Sequence, residues 1–572
     1  MKELVTIQVG DFANYVGSHF WNFQDELLGL AGDPNADSVF KNHDLNMDVL
    51  YRTGETQQGI LTYTPRLLSI NMRGSLGSLS SHGTLYKEVT SSPSDVVTWT
   101  GMVSTQASEP RKKNLFLQRL YEEEENMVVA NDTSGSSNGS QSEIQDKDIV
   151  ESLENGVQFW TDYSKVHYHP QSLYELSGVW MDAEDFNNYG IGKESFSWAL
   201  HGEEISDRLR FFVEECDYIQ GFHFVVDDSG GFSAVAEEFL ENIVDEYTNT
   251  PVLLYAVQGH RAFTNLQSKK RTVLEDLHDA VSFSRLSSYS KLIVPVGLPS
   301  LSQSKVSKFL HIEDEKHYHS SAVYAAALHS ISLPSRMEPV GPTTPASSVS
   351  GAVDLHGVIQ MLSGQGRQNM VSVLDVAIPA PALSGGQNEL SLLENLHPLT
   401  PQIAEDVEDM QAVECMTVHG THASGSRRAS VSEVKDAVDA AFQRAETSPM
   451  FCHLSVALRP LPIPLPFPSI FGNQVGQHGE LMGGPTTNSS SKGSLDVHSI
   501  PMAARLRSSN AVLPFLESRL RNLHRSGIDR GAAGAQLLRS WGFGREELEE
   551  MEEMLSKMVA TLCPPQLSSD SD

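Results

Sequence analysis

Helical and extended segments alternate regularly between residues 203 and 257, and this pattern restricts the possible folds more than any other feature of the chain. An amphipathic segment at 203–219 is followed by the apolar stretch GFHFVVD, a DSGG loop, a helical stretch at 232–247 and the apolar stretch PVLLYAV. Strands that are separated by helices need crossover connections, so the pattern predicts a parallel sheet covered by helices. The segments KLIVPV at 291–296 and SAVYAAALHSI at 321–331 continue the alternation.

The N-terminal region carries the same signals. Residues 3–9 and 66–72 read as short buried strands, and the turn GDFANYVG after the first strand opens an amphipathic helix. With 572 residues, of which 40% are apolar, the chain can bury sizeable cores in more than one domain. We therefore expect an α/β protein.

The charge balance and the cysteines exclude several classes of protein. The chain has 41 Lys and Arg against 73 Asp and Glu, a net charge of -32, which argues against binding of nucleic acid. The four cysteines lie far apart, and the His pairs at 167 and 169 and at 317 and 319 have no third ligand nearby in the sequence, so no metal site is expected. We see neither a transit peptide nor an apolar run that could span a bilayer.

The turn after the first strand also resembles a phosphate-binding loop. Gly10, Asn14 and Gly17 lie at positions where small residues let backbone amides approach an anion. On its own, the same pattern is equally typical of a tight strand-to-helix turn. Both interpretations stay open at this point.

Two later segments resemble further parts of a phosphate site. The stretch HPQSL at 169–173 precedes FNNYGIG, which contains Asn187 and Asn188, and the loop after the strand GFHFVVD contains Gly230 and Gly231. Together with DRLRFFVEECDYIQGF at 207–222, the order of these segments resembles the tubulin superfamily over most of the chain. The resemblance implies that Gly10, Asn14, Gly17, Asn187, Asn188, Gly230 and Gly231 are remnants of its nucleotide site.

The chain departs from the tubulin pattern at the positions that carry chemistry. Phe12 and Ala13 stand in place of a cysteine and a glycine of the first loop, and the glycine signature keeps only two of its four glycines. Asn71 and Arg73 fall where acidic residues lie near the magnesium ion, which removes much of its attraction for a hard cation. We therefore expect no tight magnesium site.

The remaining functional positions of the pattern have also changed. The asparagines that recognise guanine fall near Val296 and Ser321, which cannot offer a paired amide donor and acceptor. In the activating loop Asp354 is kept, but Gly357 stands at the position of the catalytic acid, so no side chain there can orient a water. The resemblance thus implies no catalysis and no cofactor, and weak residual binding of GTP stays open.

Within the superfamily, the chain is identified as a member of the Misato family by the segments YRTG and TYTPR near residue 60, VEECDYIQGF at 213–222 and an inserted acidic segment. This resemblance implies a cytoplasmic, non-catalytic regulator of mitochondrial distribution, morphology and fusion. It would act peripherally at the mitochondrial outer membrane, with outer-membrane proteins as partners. The alternatives are a GTP-binding or GTP-hydrolysing tubulin homologue, and a factor that assembles tubulin or spindle microtubules with chaperonin-type partners.

The resemblance and the composition together predict the domain organisation. We expect a tubulin-like fold with an N-terminal Rossmann-like, parallel-sheet domain of the nucleotide-binding type, a divergent α/β middle domain and a C-terminal helical hairpin. The predicted parts are a tubulin-like N-terminal part (1–105), an acidic disordered insertion (106–150), the rest of the nucleotide-type domain (151–340), a divergent intermediate domain (341–482), a low-complexity linker (483–498), and C-terminal helices and tail (499–572).

Overall fold

A computed structural model provides the structure of the chain. It describes residues 2–563 apart from fifteen gaps, at 42–43, 56–60, 81–112, 133–143, 177–185, 197–200, 261–268, 339–347, 365–369, 384–391, 406, 408, 424–426, 446 and 483–490.

Strands and helices alternate through most of the described residues. In chain order, the strands are β1 (Glu3–Val9), β2 (Tyr51–Glu55), β3 (Leu61–Pro65), β4 (Leu67–Met72), β5 (Leu173–Leu176), β6 (Ile219–Asp227), β7 (Val252–Val257), β8 (Leu292–Val296), β9 (Val349–Ser350), β10 (Val373–Ala377), β11 (His397–Pro398), β12 (Val413–His419), β13 (Phe451–Ala457), β14 (Leu461–Pro462), β15 (Ser499–Ile500) and β16 (Met502–Ser508). The α-helices are α1 (Asp11–Gly32), α2 (Leu115–Asp132), α3 (Asp146–Gly156), α4 (Tyr189–Ser195), α5 (Glu203–Glu214), α6 (Gly231–Glu246), α7 (Lys269–Tyr289), α8 (His317–Ser332), α9 (Leu355–Gly364), α10 (Val431–Arg444), α11 (Leu513–Leu523), α12 (Ala535–Ser540) and α13 (Arg545–Leu562).

The first sheet contains six parallel strands in the order β5-β4-β1-β6-β7-β8. Its central strands are covered on both faces, and β1 and β7 are buried along their whole length. Helices α1 and α8 contribute to the core on one face, and α5, α6, α7, α11 and α13 contribute to the core on the other. This arrangement is the expected α/β, tubulin-like architecture.

The second sheet is mixed and has the strand order β11-β10-β16-β12-β13-β9. Strand β16 lies antiparallel between β10 and β12, whereas β12 and β13 are parallel. The almost completely buried helix α8 packs against α1 and also contacts β12 and β16. Helix α8 therefore lies where the two sheets share one hydrophobic core.

Residues 499–508 correct the predicted start of the C-terminal part. We expected helices and a tail from 499 onwards, but β16 (Met502–Ser508) is an inner strand of the second sheet. The two arginines of β16 hid this role in the sequence. Arg505 and Arg507 bind the buried carboxylate of Asp375 on β10, at 2.8 and 2.7 Å.

Two segments that we predicted to lack regular structure are partly folded. In the predicted insertion at 106–150, helices α2 and α3 are present, and Phe116 is 4% exposed within the core. In the predicted linker at 483–498, Val497 is fully buried and Lys492 pairs with Phe471. Residues 106–112, 133–143 and 483–490 of these predictions lie outside the described residues.

The C-terminal helices pack on the first sheet's outer layer. Helices α11 and α13 contact each other and α7. In α13, Met551, Leu555 and Met558 are buried, while most of the glutamates of the helix face solvent. Among the described residues, none of the helices is both long enough and apolar enough to cross a bilayer.

Candidate functional site

The loop between β1 and α1 is closed by a side chain from a neighbouring strand. Asp227 is the last residue of β6, and its carboxyl group accepts hydrogen bonds from the backbone amides of Ala13 (2.7 Å) and Phe12 (3.3 Å). These amides are the donors that a helix N-terminus offers to an anion. In this chain, they already have an internal acceptor.

Gly10 permits this close approach. Its φ is +117°, a conformation that other residues rarely adopt, and a Cβ atom at this position would lie 2.4 Å from the Asp227 carboxyl carbon. The glycine of the predicted phosphate loop therefore makes room for the carboxyl group of Asp227.

Burial raises the pKa of Asp227 well above its ordinary value, and the nearby carboxylates of Asp11 and Asp228 raise it further. The two backbone amides lower the pKa in part. Three acidic side chains thus cluster near the loop where the sequence pattern would place phosphate. The negative charges of Asp11 and Asp228 in this position oppose binding of another anion.

Asn14 belongs to a buried polar network. Its amide nitrogen donates to the Asn71 side-chain oxygen at 2.9 Å, and its oxygen accepts from the Ser69 hydroxyl at 2.8 Å. The Asn71 oxygen also accepts from the Trp160 indole at 3.1 Å. Asn71, which stands where the tubulin pattern has an acidic residue near the magnesium ion, is 1% exposed, with both ends of its amide engaged by protein groups. Arg73, which replaces the other acidic residue, is exposed.

Gly17 lies in α1 at a point of contact with the sheet. A Cβ atom at this position would lie 2.1 Å from the Gln8 side-chain nitrogen. Gln8 is a buried residue of β1, so it has little space to move. The structure therefore places Gly17 in the packing between helix and strand.

The two asparagines of the predicted second loop have different surroundings. Asn187 is exposed, whereas Asn188 caps α4 by accepting a hydrogen bond from the Gly190 amide at 2.9 Å. This is the ordinary role of an asparagine at a helix start. Buried contacts hold α4 in place, because the Tyr189 hydroxyl donates to Glu237, which also pairs with Arg285.

The glycine loop before α6 is covered by the loop that carries these asparagines. The Gly231 amide donates to the Phe186 carbonyl at 2.7 Å, and the Phe186 and Phe232 rings meet edge to face with centroids 4.8 Å apart. Gly230 has a φ of +80°. A Cβ atom on Gly192 of α4 would lie 2.1 Å from the Gly231 carbonyl oxygen. Gly230 and Gly231 thus lie at a tight helix-to-helix contact.

Aromatic rings occupy the space beside the first loop. The Phe12 ring packs edge-on against His317 and Tyr324, with centroid separations of 5.2 and 6.0 Å. Val296 and Ser321, the positions predicted from the guanine-binding asparagines, are both buried. The Ser321 hydroxyl donates to the His317 carbonyl at 2.5 Å, so it points back into its own helix.

The predicted activating loop starts α9. One oxygen of Asp354 accepts from the Gly357 amide at 2.9 Å, and the other pairs with the Lys2 ammonium at 2.5 Å. Burial alone would raise the pKa of Asp354, but Lys2 and the Gly357 amide outweigh it and lower the value. Asp354 thus caps α9 and binds the N-terminal segment.

His319, which belongs to the second of the two His pairs in the sequence, is a buried residue. It lies in the first turn of α8, is 1% exposed, and bonds through its Nε2 atom to Glu154 at 2.6 Å. Potential ligand atoms of Glu154, Glu313 and His319 lie within 4.8 Å of one another. Lys316 already pairs with Glu313 at 2.8 Å and with Glu154 at 3.7 Å, which offsets part of the negative charge of the two carboxylates.

Sequence reasoning missed Asp227, the residue that closes the first loop. The signal was available, because the carboxyl ends of neighbouring parallel strands meet at one edge of a sheet. Strands β1 and β6 are paired in parallel, with Val9 opposite Val226. An acidic residue directly after Val226 is therefore placed next to the loop after Val9.

Two family models match the chain. A Misato Segment II tubulin-like domain covers residues 2–122, and a tubulin domain covers residues 151–337. The segment between them, 123–150, falls within the predicted insertion. The two matches together include the whole first sheet and the loops that carry Gly10, Asn187 and Gly230, but not the loop with Asp354.

Curated relatives extend the similarity to nearly the full length. Protein misato homolog 1 of Mus musculus is 29% identical, covering 97% of this chain and 96% of the relative. Protein misato homolog 1 of Homo sapiens is 32% identical over 69% of this chain and 68% of the relative. A fungal relative, Protein dml1 of Aspergillus clavatus, is 25% identical over 64% of this chain and 66% of the relative.

Proposed function

Because this chain belongs to the Misato family of tubulin-like proteins, we propose that it is a non-catalytic regulator of mitochondrial distribution, morphology and fusion. We propose further that it acts as a peripheral protein on the cytoplasmic side of the mitochondrial outer membrane, through contacts with outer-membrane proteins. The family resemblance supports the mitochondrial role. The geometry of the first loop supports the absence of catalysis.

The proposal that the protein is not catalytic rests on the contact of Asp227 with the backbone amides of Phe12 and Ala13. A phosphate-binding loop works because its amides converge on an external anion. Here an internal carboxyl group accepts from them. To bind at the same amides, a nucleotide phosphate would have to displace Asp227 and approach the neighbouring acidic side chains of Asp11 and Asp228.

A rescue experiment tests this proposal. Asp227→Ala removes the acceptor and leaves two buried donors unpaired, which should cost about 1–3 kcal/mol of unfolding free energy. Added inorganic phosphate should then raise the melting temperature of the variant more than that of the wild type, because an anion can bind the freed amides. Asp354→Ala is the matched control, since Asp354 also caps a helix but lies at a partly exposed surface.

Two results would contradict the non-catalytic proposal. One is guanine nucleotide at about one equivalent per chain in the purified wild-type protein. The other is a rise in the wild-type melting temperature with GTP and magnesium that is lost in Gly231→Ala. Either result would favour the GTP-binding alternative, because a ligand that binds only the folded state stabilises it by mass action.

Cell fractionation tests the mitochondrial part. The full-length protein should be recovered with purified mitochondria and released from them by alkaline carbonate. Retention in the pellet with integral membrane markers would contradict peripheral attachment. Recovery with sedimented microtubules instead of mitochondria would favour the tubulin-assembly alternative.

A further inference from the structure

A short basic segment at the surface, residues 427–428, lies just before α10, a helix beside the second sheet. Arg427, Arg428, Ala429, Ser430 and Val431 follow one another directly, and Ser430 is exposed. Two arginines at the third and second positions before a serine, with an apolar residue after it, form the substrate pattern of arginine-selecting protein kinases. Acidic pockets of such kinases bind the guanidinium groups through charge-assisted hydrogen bonds.

We propose that Ser430 is a phosphorylation site for an arginine-selecting serine/threonine kinase. In this reaction the Ser430 oxygen forms a bond to the γ-phosphorus of ATP. The bond from that phosphorus to the bridging oxygen breaks, ADP leaves, and the hydroxyl proton passes to the kinase's catalytic base.

The side-chain contacts of Arg427, Arg428 and Ser430 lie at the surface, whereas the backbone is held by the buried Ala429, whose amide donates to the Thr421 carbonyl at 2.9 Å. Arg427 pairs with Glu433 at 2.5 Å, and their side chains are 62% and 40% exposed. The Ser430 hydroxyl bonds to the same carboxylate at 2.8 Å. Arg428 pairs with Asp37 at 2.8 Å, with both side chains partly exposed. Exposed ion pairs contribute about 0–1 kcal/mol each, so a kinase can draw these side chains away at low cost.

A second serine also lies three residues after an arginine, and it shows why a kinase substrate must be exposed. Ser508 follows Arg505 by three residues, but it lies in the inner strand β16 and is 7% exposed. Both arginines of that strand bind Asp375. A kinase could reach Ser508 only by opening the second sheet. The structure therefore favours Ser430 and excludes Ser508 in the folded protein.

The folded chain can accommodate phosphate on Ser430. The residue caps the N-terminus of α10, where negative charge interacts favourably with the helix dipole. The phosphate would compete with the Glu433 carboxylate for Arg427, because it carries more charge and more acceptor oxygens. Phosphorylation of Ser430 would thus add about two negative charges at the start of α10 without unfolding the helix.

The test uses the full-length protein, ATP with magnesium, and the purified catalytic subunit of cyclic-AMP-dependent protein kinase. Phosphopeptide mass spectrometry should place about one phosphate per chain on Ser430 and none on Ser508. Replacing both Arg427 and Arg428 by Ala should lower the phosphorylation rate about a hundredfold, since each lost charge contact costs roughly a factor of ten. Ser432→Ala, two residues away, is the matched control and should leave the rate unchanged.

Thermal melts of each variant establish that the compared proteins are folded. Labelling that persists in Ser430→Ala, or that maps to other residues in the wild type, would overturn the proposal. An unlabelled wild-type protein, under conditions in which an isolated peptide of residues 424–434 is labelled, would overturn it too. That result would show that the folded segment is inaccessible to the kinase.

Discussion

A single carboxyl group, that of Asp227, satisfies two backbone amides at the start of α1, at 2.7 and 3.3 Å. It does so without a cationic partner in any interaction that the structure shows for it. The contribution of Asp227 to the free energy of unfolding therefore depends on two opposing effects. Burial favours the protonated form of the carboxyl group, and the two amides favour the carboxylate.

This balance gives a pH dependence of known sign. The pKa of Asp227 is higher in the folded than in the unfolded chain, so its favourable contribution is complete below the unfolded value of about 4. The contribution is lost as the pH rises through the folded value. We expect the wild type to lose unfolding free energy relative to Asp227→Asn as the pH is raised from about 4, because the amide does not titrate. Urea unfolding of both proteins across this range measures the difference, and a constant difference would contradict the prediction.

Two glycines of α1 give a matched comparison of packing and helix propensity. Gly17→Ala should destabilise the protein by about 1–3 kcal/mol, because the new methyl group meets the buried Gln8 side chain. A Cβ atom added at Gly29 would have no atom within 4 Å, so Gly29→Ala should stabilise by up to about 1 kcal/mol. Chemical denaturation measures both values. Equal effects of the two changes would show that Gly17 is not a packing position.

At the scale of elements, apolar runs made the first sheet predictable. Strands β1, β4, β6, β7 and β8 all correspond to predicted strands, because strands buried on both faces leave continuous apolar sequences. Strand β16 carries Arg505 and Arg507, and its pairing with β10 and β12 explains them, because they bind Asp375 of β10 and Arg505 also binds Glu414 of β12. Such long-range partners cannot be read from a local sequence window.

Helix α2 was missed for a related reason. Its four consecutive glutamates at 122–125 dominate the composition, whereas the apolar contacts of its described side chains, which end at residue 123, lie in the first turns. Local polarity thus outweighed a few apolar positions that pack against the core. The candidate site was predicted only in part for a similar reason. The sequence pattern located the glycines and asparagines, but it could not show which groups their backbone amides contact.

The packing of helix α2 can be tested through Phe116, the most buried of its described side chains. Phe116→Ala should destabilise the protein by about 3–5 kcal/mol, because Phe116 is 4% exposed within the main core. Tyr121→Ala is the matched control on the same helix, since Tyr121 is 42% exposed, and it should change stability by less than about 1 kcal/mol. Similar effects in thermal unfolding would show that α2 does not pack as described.

At the scale of the whole molecule, a buried ion pair joins distant parts of the chain. Arg459 follows β13 of the second sheet, and it pairs with Asp44 of the N-terminal region at 2.5 Å; both side chains are 5% exposed. Helix α8 joins the same two regions through apolar contacts. The two sheets are therefore linked by charge as well as by packing.

Removing one partner of this ion pair should lower the free energy of unfolding more than removing both partners. Arg459→Met leaves the Asp44 carboxylate buried without its cation, which should cost about 3–5 kcal/mol. The double variant with Asp44→Asn should recover at least about 1 kcal/mol of that loss, because no uncompensated charge remains. A double-mutant cycle by chemical denaturation measures the coupling, and additive effects would contradict it.

The carboxyl group that closes the first loop also has a metabolic consequence. A protein that fills such a loop with a nucleotide gains stability with the logarithm of the free nucleotide concentration, so its folded fraction follows the energy supply of the cell. Asp227 is part of the chain, and its effective concentration at the loop is constant. On the proposed function, in which no nucleotide fills this loop, the stability of this chain would not follow the nucleotide concentration in starved or well-fed cells.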